Sequence, residues 1–522
     1  MSEKKRISVA TLVMGVGTGA SRIAGLVRDM VVAGMFGAGF GTDAFFMAFT
    51  IPNLLRRFFA EGSLTAAFVP TFSQVQYRQG TEEARRVADI CWTLLILVMA
   101  AVTLLGILAA PVIVQMIGAG FGAVPGKIEL TVFLTRLMFP YIFFVSLLAL
   151  IAGILNVLGH YFWPSFSTTL LNICIILGAI FLAPLFPVRP VAALAVGVLL
   201  GGLLQLIVQF PVLRRKGFRL RFNVEFSHPV VRKIATLMVP GLAGVAIYQI
   251  NVVVSRLLAS FLREGSVSYL YYGQRLFELP QGIFIVSLAQ AVLPAMSRQA
   301  ADKDDEGVKD SLRFSLKLIV LVSLPAAAGL MVCAIPVYSL FFMRGEFVYQ
   351  DVVQTALALC AYAPGLLFVG MSRVLAPTFF ALQDTRTPVW AAFWTLLANA
   401  LLGLLLMRPL GHVGLALALT LASFCNCVLL IWLLRKKIGS LGLSAVGVTL
   451  LRILPATLIM ALAAFGILLA VDWQSHGAVV EKGLALTAAV AGGGIIYVGV
   501  GLLCGVKELR DGLTMIRRKC VR

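Results

Sequence analysis

Fourteen apolar runs, each long enough to cross a bilayer, leave this chain few folds to choose from. A helix needs about 20 predominantly apolar residues to span the hydrocarbon. The runs lie near 7–36, 43–70, 90–117, 130–156, 161–186 and 190–213, then 232–261, 266–296, 311–342, 352–382, 388–407, 411–434, 445–471 and 483–504. Composition agrees. Of 522 residues 60% are hydrophobic and 13% charged, where a soluble chain carries about 45–50% and about 25%. The fold class is an all-α integral membrane protein. The opening "MSEKKRISVATLVMGVGTG" has the basic-then-apolar order of a signal peptide, but the run continues through Gly34 without an early small-residue cleavage site. It reads as a retained first helix.

Eight cysteines are scattered, seven of them inside apolar runs, with no CxxC pair and no matching cluster among the four histidines. They read as small buried hydrophobes rather than metal ligands or a disulfide framework. The net charge of +20 has a topological explanation. With the N-terminus in the cytoplasm, the inner segments receive 29 of the 43 basic residues. The opposite side receives six: Lys127, Arg189, Arg263, Arg344, Arg408 and Lys482. Such asymmetry marks an N-in, C-in orientation and removes the charge as a nucleic-acid signal.

A shift of 224 residues aligns the sequence with itself. Gly41 meets Gly265, Leu55 meets Leu279, Ser63-Leu64 meets Ser287-Leu288 and Pro70 meets Pro294. Further on, Phe144 meets Phe368 and Pro164 meets Pro388 without a gap. The repeat holds six spans, so both halves enter the membrane in the same sense, as in two-lobed transporters. The expected organisation is an N-lobe over 1–213, a cytoplasmic linker over 214–231 and a C-lobe over 232–436. Two extra helices and a basic tail follow over 437–522. The linker stretch "RRKGFRLRFNVEFSHPVVRK" is dense in charge and reads as a solvated inner loop before a lipid-binding segment.

Eight arginines fall within spans: Arg22, Arg28, Arg56, Arg57, Arg136, Arg256, Arg275 and Arg373. A charge costs about 2.5–3.5 kcal/mol at a span centre on insertion scales, and such residues usually face a water-filled cavity. In span 1, Gly15 and Gly19 form a GxxxG that lets a neighbouring helix approach. Arg22 shares a helix face with Asp29, and Arg28 shares one with Ser21. In span 2, Asn53, Arg57 and Glu61 follow i, i+4, i+8, so Arg57 can pair with Glu61 and leave Arg56 without a local acid. Pro52 and Gly62 invite a kink there, as Pro280-Gln-Gly282 does beside Arg275 and Glu278.

The bland alternative is that these arginines neutralise Asp29, Asp43, Glu61 and Glu278 and lock helices together. In the first half, however, four arginines outnumber three acids. Surplus guanidinium suits an anion with several oxygens, above all a phosphate or diphosphate, which an arginine fork matches bidentately. A cation exporter would more naturally keep surplus carboxylates. No nucleophile–base pair or metal spacing suggests an enzyme.

The segments "SRIAGLVRD", "GTDAFFMAFTIPNLLRRFFAEGSLTAAFVP", "YYGQRLFELPQGIF" and "APTFFALQDTRTPV" closely resemble the bacterial lipid II flippase family, MurJ or MviN. The resemblance runs through essentially the whole chain. It implies fourteen helices in the multidrug/oligosaccharidyl-lipid/polysaccharide exporter fold. It also implies transfer of the undecaprenyl-diphosphate-linked peptidoglycan precursor from the cytoplasmic to the periplasmic leaflet of the inner membrane. The substrate-binding arginines it implies are Arg22, Arg28, Arg56 and Arg275, and the essential acid is Asp43. Ser21, Asp29, Asn53, Arg57, Glu61, Ser268 and Glu278 stand in supporting or gating positions. The last two helices form a groove for the polyprenyl tail in this family. The implied partners are lipid II and membrane lipids, with cell-wall synthesis proteins as further candidates. No cofactor is expected. Some family members bind sodium through carboxylates on spans 7 and 11, where this chain offers Gln249, Asn251 and Asn399, a departure that counts against a sodium site of that kind. The rival expectations are an exporter of another polyprenyl-linked oligosaccharide and a non-transporting scaffold relative.

Overall fold

A computed structural model describes residues 3–57, 64–511 and 514, with the side chains of 3–12, 66 and 239–248 outside the description. Among the described residues the regular structure is entirely helical. Packing divides the chain into two units, Met1–Val267 and Ser268–Arg522.

The first unit contains α1 (Glu3–Phe36), α2 (Phe40–Arg56), α3 (Leu64–Arg78), α4 (Gly80–Ile117), α5 (Lys127–Met138), α6 (Pro140–Val157), α7 (Phe162–Leu177), α8 (Ala192–Arg215) and α9 (Pro229–Ser260). Helix α10 (Ser266–Pro280) begins at the junction. The second unit continues with α11 (Val286–Ala301), α12 (Asp305–Val332), α13 (Ala334–Phe341), α14 (Tyr349–Tyr362), α15 (Gly365–Ala381), α16 (Arg386–Ile438), α17 (Ser444–Leu468) and α18 (Val479–Leu503). Nine helical stretches among the described residues are long and apolar enough to cross a membrane, or ten if the pair α14–α15, bent by 41°, is one span. The chain is thus a multi-pass membrane protein, while the expected count of fourteen spans is not reached on that measure.

Local chemistry explains the interruptions. Pro140 separates α5 from α6 within one span. The expected break around Pro280 appears as a π-helical turn over Gln281–Ile285, between α10 and α11. The long α16 is two helices joined at Gly411, whose φ of 58° and ψ of −135° only glycine adopts readily. That kink falls where the apolar run was interrupted at 407–411. Small residues set the closest approaches. A Cβ on Gly178 would lie 2.8 Å from the Ala193 carbonyl, and one on Gly197 2.8 Å from that of Cys174, so α7 and α8 meet backbone to backbone. In α1 the expected pair Gly15 and Gly19 has nothing within 4 Å. The tight contact is instead at Gly17, where a Cβ would lie 2.8 Å from Ser165 Cβ. Spacing identified a small-residue helix, and packing chose a different residue on it.

The segment after α8 is tied down rather than free. Phe218 is buried against Phe72, with the Arg85 guanidinium over its ring. The Arg221 and Asn223 amides donate to Asp89 and Thr93 of α4, at 2.9 and 2.8 Å. Arg86 holds Glu225 through two hydrogen bonds, and His228 meets Glu83 at 2.8 Å. Two backbone amides, Glu225 and His228 therefore strap this stretch along α4, while its arginines and lysines stay exposed. In the second unit, Asp384 closes the α15–α16 turn: it accepts from the Thr387 amide and hydroxyl and from Lys437 Nζ, at 3.0, 2.8 and 2.8 Å. Burial would raise its pKa, but the hydrogen bonds from Lys437 and Thr387 outweigh that and bring it to about 2.

Candidate functional site

The intramembrane arginines separate into two groups once their partners are known. Arg136 Nε donates to the Ile107 carbonyl and Arg256 Nη1 to that of Val267. Arg373 donates from Nε and Nη2 to the Gln281 amide oxygen, both at 3.0 Å, in the amide orientation that satisfies both groups. These three end on backbone or neutral amide oxygens. They read as helix ties.

On α1 the two expected site arginines differ. Arg28, 7% exposed, donates from Nε and Nη2 to Asp29 and from Nη1 to Asn172 of α7. Asn172 in turn donates to the carbonyls of Ser21 and Thr168. Ser21 thus contributes its backbone to the α1–α7 junction. Arg22, one and a half turns earlier, is partly exposed and has no hydrogen-bond or ion-pair partner among the described residues. On α2, Arg56 donates from Nε and Nη2 to Asn53, at 3.1 and 2.9 Å. The Asn53 partner is therefore the i+3 arginine. Arg57 caps the end of α2 and is also partnered. Glu61, its expected partner, lies outside the described residues.

In the second unit Arg275 is about one-third exposed. Its Nη2 donates to the Tyr271 hydroxyl at 2.7 Å, its guanidinium lies 4.9 Å from that ring's centre, and Nη1 is 3.6 Å from Glu278. Gln274 donates to the other Glu278 oxygen. Ser268 is fully buried one turn into α10. The arginine is propped on its own helix by Tyr271 and Glu278.

Asp43 belongs to a different arrangement. In the first turn of α2, it accepts from Lys127 Nζ at 3.0 Å and from the Gly265 amide at 2.8 Å. Asp43 and Lys127 are 1% and 2% exposed. The ammonium also lies 4.5 Å from the centre of the Phe121 ring. Alongside, Glu264 accepts from the Phe40 amide at the start of α2, where the helix dipole favours a carboxylate. Ser260 accepts from the Gly120 amide. Residues 40 and 264 are separated by the repeat offset of 224, so equivalent turns of the two repeats meet here. The acid that the resemblance marks as essential is thus held by a lysine. Lys127 was counted only among the outer-loop charges, and neither it nor Asn172 or Tyr271 announced its role. For Glu264 the repeat itself was the available signal.

Helical throughout its described regular structure and multi-pass, with guanidinium groups within its spans, the chain has the make-up of a membrane transporter. Solved structures show the same fold. The chain matches the structure of lipid II flippase MurJ in an inward closed conformation over 96% of its own length and all of that chain, with a TM-score of 0.76 and 26% identity. It also matches an inward-facing multidrug resistance MATE family transporter of the MOP superfamily, with a TM-score of 0.69 and 15% identity. The probable lipid II flippase MurJ of Vibrio cholerae is 37% identical over 525 residues, covering 97% of this chain and 98% of that protein. The lipid II flippase MurJ of Burkholderia cenocepacia is 35% identical over 80% of this chain and 81% of its own. The family model for lipid II flippase MurJ matches residues 32–482, and the chain belongs to that family.

Proposed function

We propose that this protein flips lipid II, the undecaprenyl-diphosphate-linked peptidoglycan precursor, from the cytoplasmic to the periplasmic leaflet of the inner membrane. The family match across residues 32–482 carries this reading. In the proposed cycle the headgroup enters from the cytoplasmic side while the prenyl tail stays in lipid along α17 and α18. Those helices expose Leu451, Leu462, Leu469 and Ile495, each at least 68% accessible, which suits a lipid-facing surface. Arg22, Arg28, Arg56 and Arg275 hold the diphosphate, and its charge draws the two lobes into the opposite-facing state. Arg22 brings an uncommitted fork, whereas Arg28 is pre-aimed by Asp29 and Asn172. Asp43 and Lys127 act as a latch that must part when the outer side opens. Both termini lie in the cytoplasm on the charge asymmetry.

Complementation tests the reading. In a bacterium depleted of its own lipid II flippase, the wild-type chain restores precursor at the outer leaflet, Arg56→Ala does not, and Arg56→Lys restores little, because a point charge replaces a fork. Failure of the wild type despite good membrane expression would move the substrate to a different polyprenyl-linked glycan. The transmembrane potential contributes to the cycle, at about 2.3 kcal/mol per charge per 100 mV. Flipping that is unchanged in vesicles clamped at zero potential would refute that contribution.

A further inference from the structure

The loop between α17 and α18 builds a small basic cavity that the transport reading does not use. The cavity, about 160 Å³, is lined by Ser339, Met343, Arg344, His476, Val479 and Lys482 among others. Lys482 is 1% exposed. Its Nζ donates to the Ser475 carbonyl at 2.5 Å and to Ser339 Oγ at 3.3 Å, and lies 6.0 Å from the centre of the Trp473 ring. Ser339 donates in turn to the Trp473 carbonyl, and the Trp473 indole to that of Leu468, which fixes the loop. Arg344 has one long contact, 3.5 Å, to the Leu340 carbonyl. Among the described residues no carboxylate pairs with Lys482 or Arg344. Asp472 faces a separate neighbouring cavity, and its Oδ1 accepts from the Gln474 amide.

An ammonium removed from water without a counter-charge is costly; a carbonyl and a hydroxyl offset only part of that cost. Lys482 has a third N–H, and Arg344 a fork with most of its donors unused. Together with His476 they converge on a space of about five water volumes at about 30 Å³ each. That space is too small for a drug-sized ligand, which needs about 300 Å³ or more. It suits one compact oxyanion. The first-turn amides of α18, which begins at Val479, add to the positive field. Apolar surface borders the opening: Val479, a wall of the cavity, is 55% exposed, and its chain neighbour Val480 is 76%. A freely soluble anion has no use for that border, whereas a lipid presents a phosphate directly above acyl chains.

We propose that Lys482, Arg344 and His476 form a binding site for the phosphate group of a membrane lipid, at the end of α18 away from the termini. The lipid's chains lie against Val479 and Val480. The site does not depend on the identity of the transported substrate. The test uses the full-length protein in detergent, with native mass spectrometry and thermal unfolding as readouts. The probes are phosphatidylglycerol, diacylglycerol, which has the chains without the phosphate, and inorganic phosphate. Phosphatidylglycerol is expected to bind and raise the unfolding midpoint, diacylglycerol is not, and Lys482→Met weakens the binding about tenfold or more. Arg344→Gln, at an exposed position that the fold tolerates, weakens it several-fold and guards against misfolding of the lysine variant. Inorganic phosphate binding with the same variant sensitivity, without preference for phosphatidylglycerol over diacylglycerol, would overturn the lipid as occupant. Binding of all three probes that ignores both substitutions would overturn the site.

Discussion

Arg22 and Arg28 lie six residues apart on one helix and live in different electrostatic circumstances. Arg28 is buried, with Nε, Nη1 and Nη2 bonded to Asp29 and Asn172. Arg22 is partly exposed and without a partner among the described residues. The same contrast recurs on a larger scale. The Asp43–Lys127 pair is sealed at one end of α2, while Arg275 in the second unit rests on a half-exposed tyrosine and glutamate. Locked charges hold helices in one arrangement. An exposed one such as Arg22 keeps donors for a ligand, and a transporter needs both.

Substitutions can break this contrast or sharpen it. The largest loss of stability is expected for Lys127→Met, which takes the ammonium away from a buried carboxylate and should cost about 3–5 kcal/mol. Thermal unfolding in detergent measures it, and adding Asp43→Asn should recover most of the loss. If the single and double variants unfold alike, the pair is not a latch. Arg28→Met should follow at roughly 2–4 kcal/mol, because Asp29 then sits buried beside an apolar chain. A smaller effect is expected at Asp384, which lies outside the spans. Its pKa of about 2 is below the ordinary carboxylate value, so its stabilisation is complete above about pH 4 and fades as the pH falls towards 2. The difference in unfolding midpoint between wild type and Asp384→Asn should therefore shrink over that interval. For the exposed Arg86–Glu225 pair, Glu225→Gln should lower the unfolding midpoint only slightly, and the difference should vanish in high salt. Arg22→Gln should change stability least, within about 0.5 kcal/mol, yet abolish flipping. A large drop in its unfolding midpoint would place Arg22 among the locked charges instead.

Much of the molecule was legible before any helix was placed. Apolar runs located most helices, Pro280 announced its irregular turn, the break between the runs ending at 407 and beginning at 411 marked the kink in α16, and the quoted segments carried the family resemblance. The arginines of interest stood out because charge is conspicuous in an apolar run. Their division into tied and loose groups was not legible. Arg28 meets Asn172 across 144 residues, and Asp43 meets Lys127 across 84. The tight glycine of α1 was misjudged for the same reason, since spacing along a helix does not say which neighbour arrives or at what height. The linker's basic residues are exposed, as a solvated loop implies, but its backbone ties to Asp89 and Thr93 and the His228–Glu83 contact could not be read from composition.

The sequence by itself determined the class of protein: a multi-pass helical membrane chain, internally repeated, with surplus guanidinium in its first half. Hydrophobic run length, charge placement and the 224-residue offset are properties of the chain read in order, and they need no packing to be seen. Only the tertiary structure decided which of those charges are already satisfied. Whether a guanidinium is free depends on carboxylates, amides and carbonyls brought within about 3 Å by helix packing, and those partners come from distant parts of the chain.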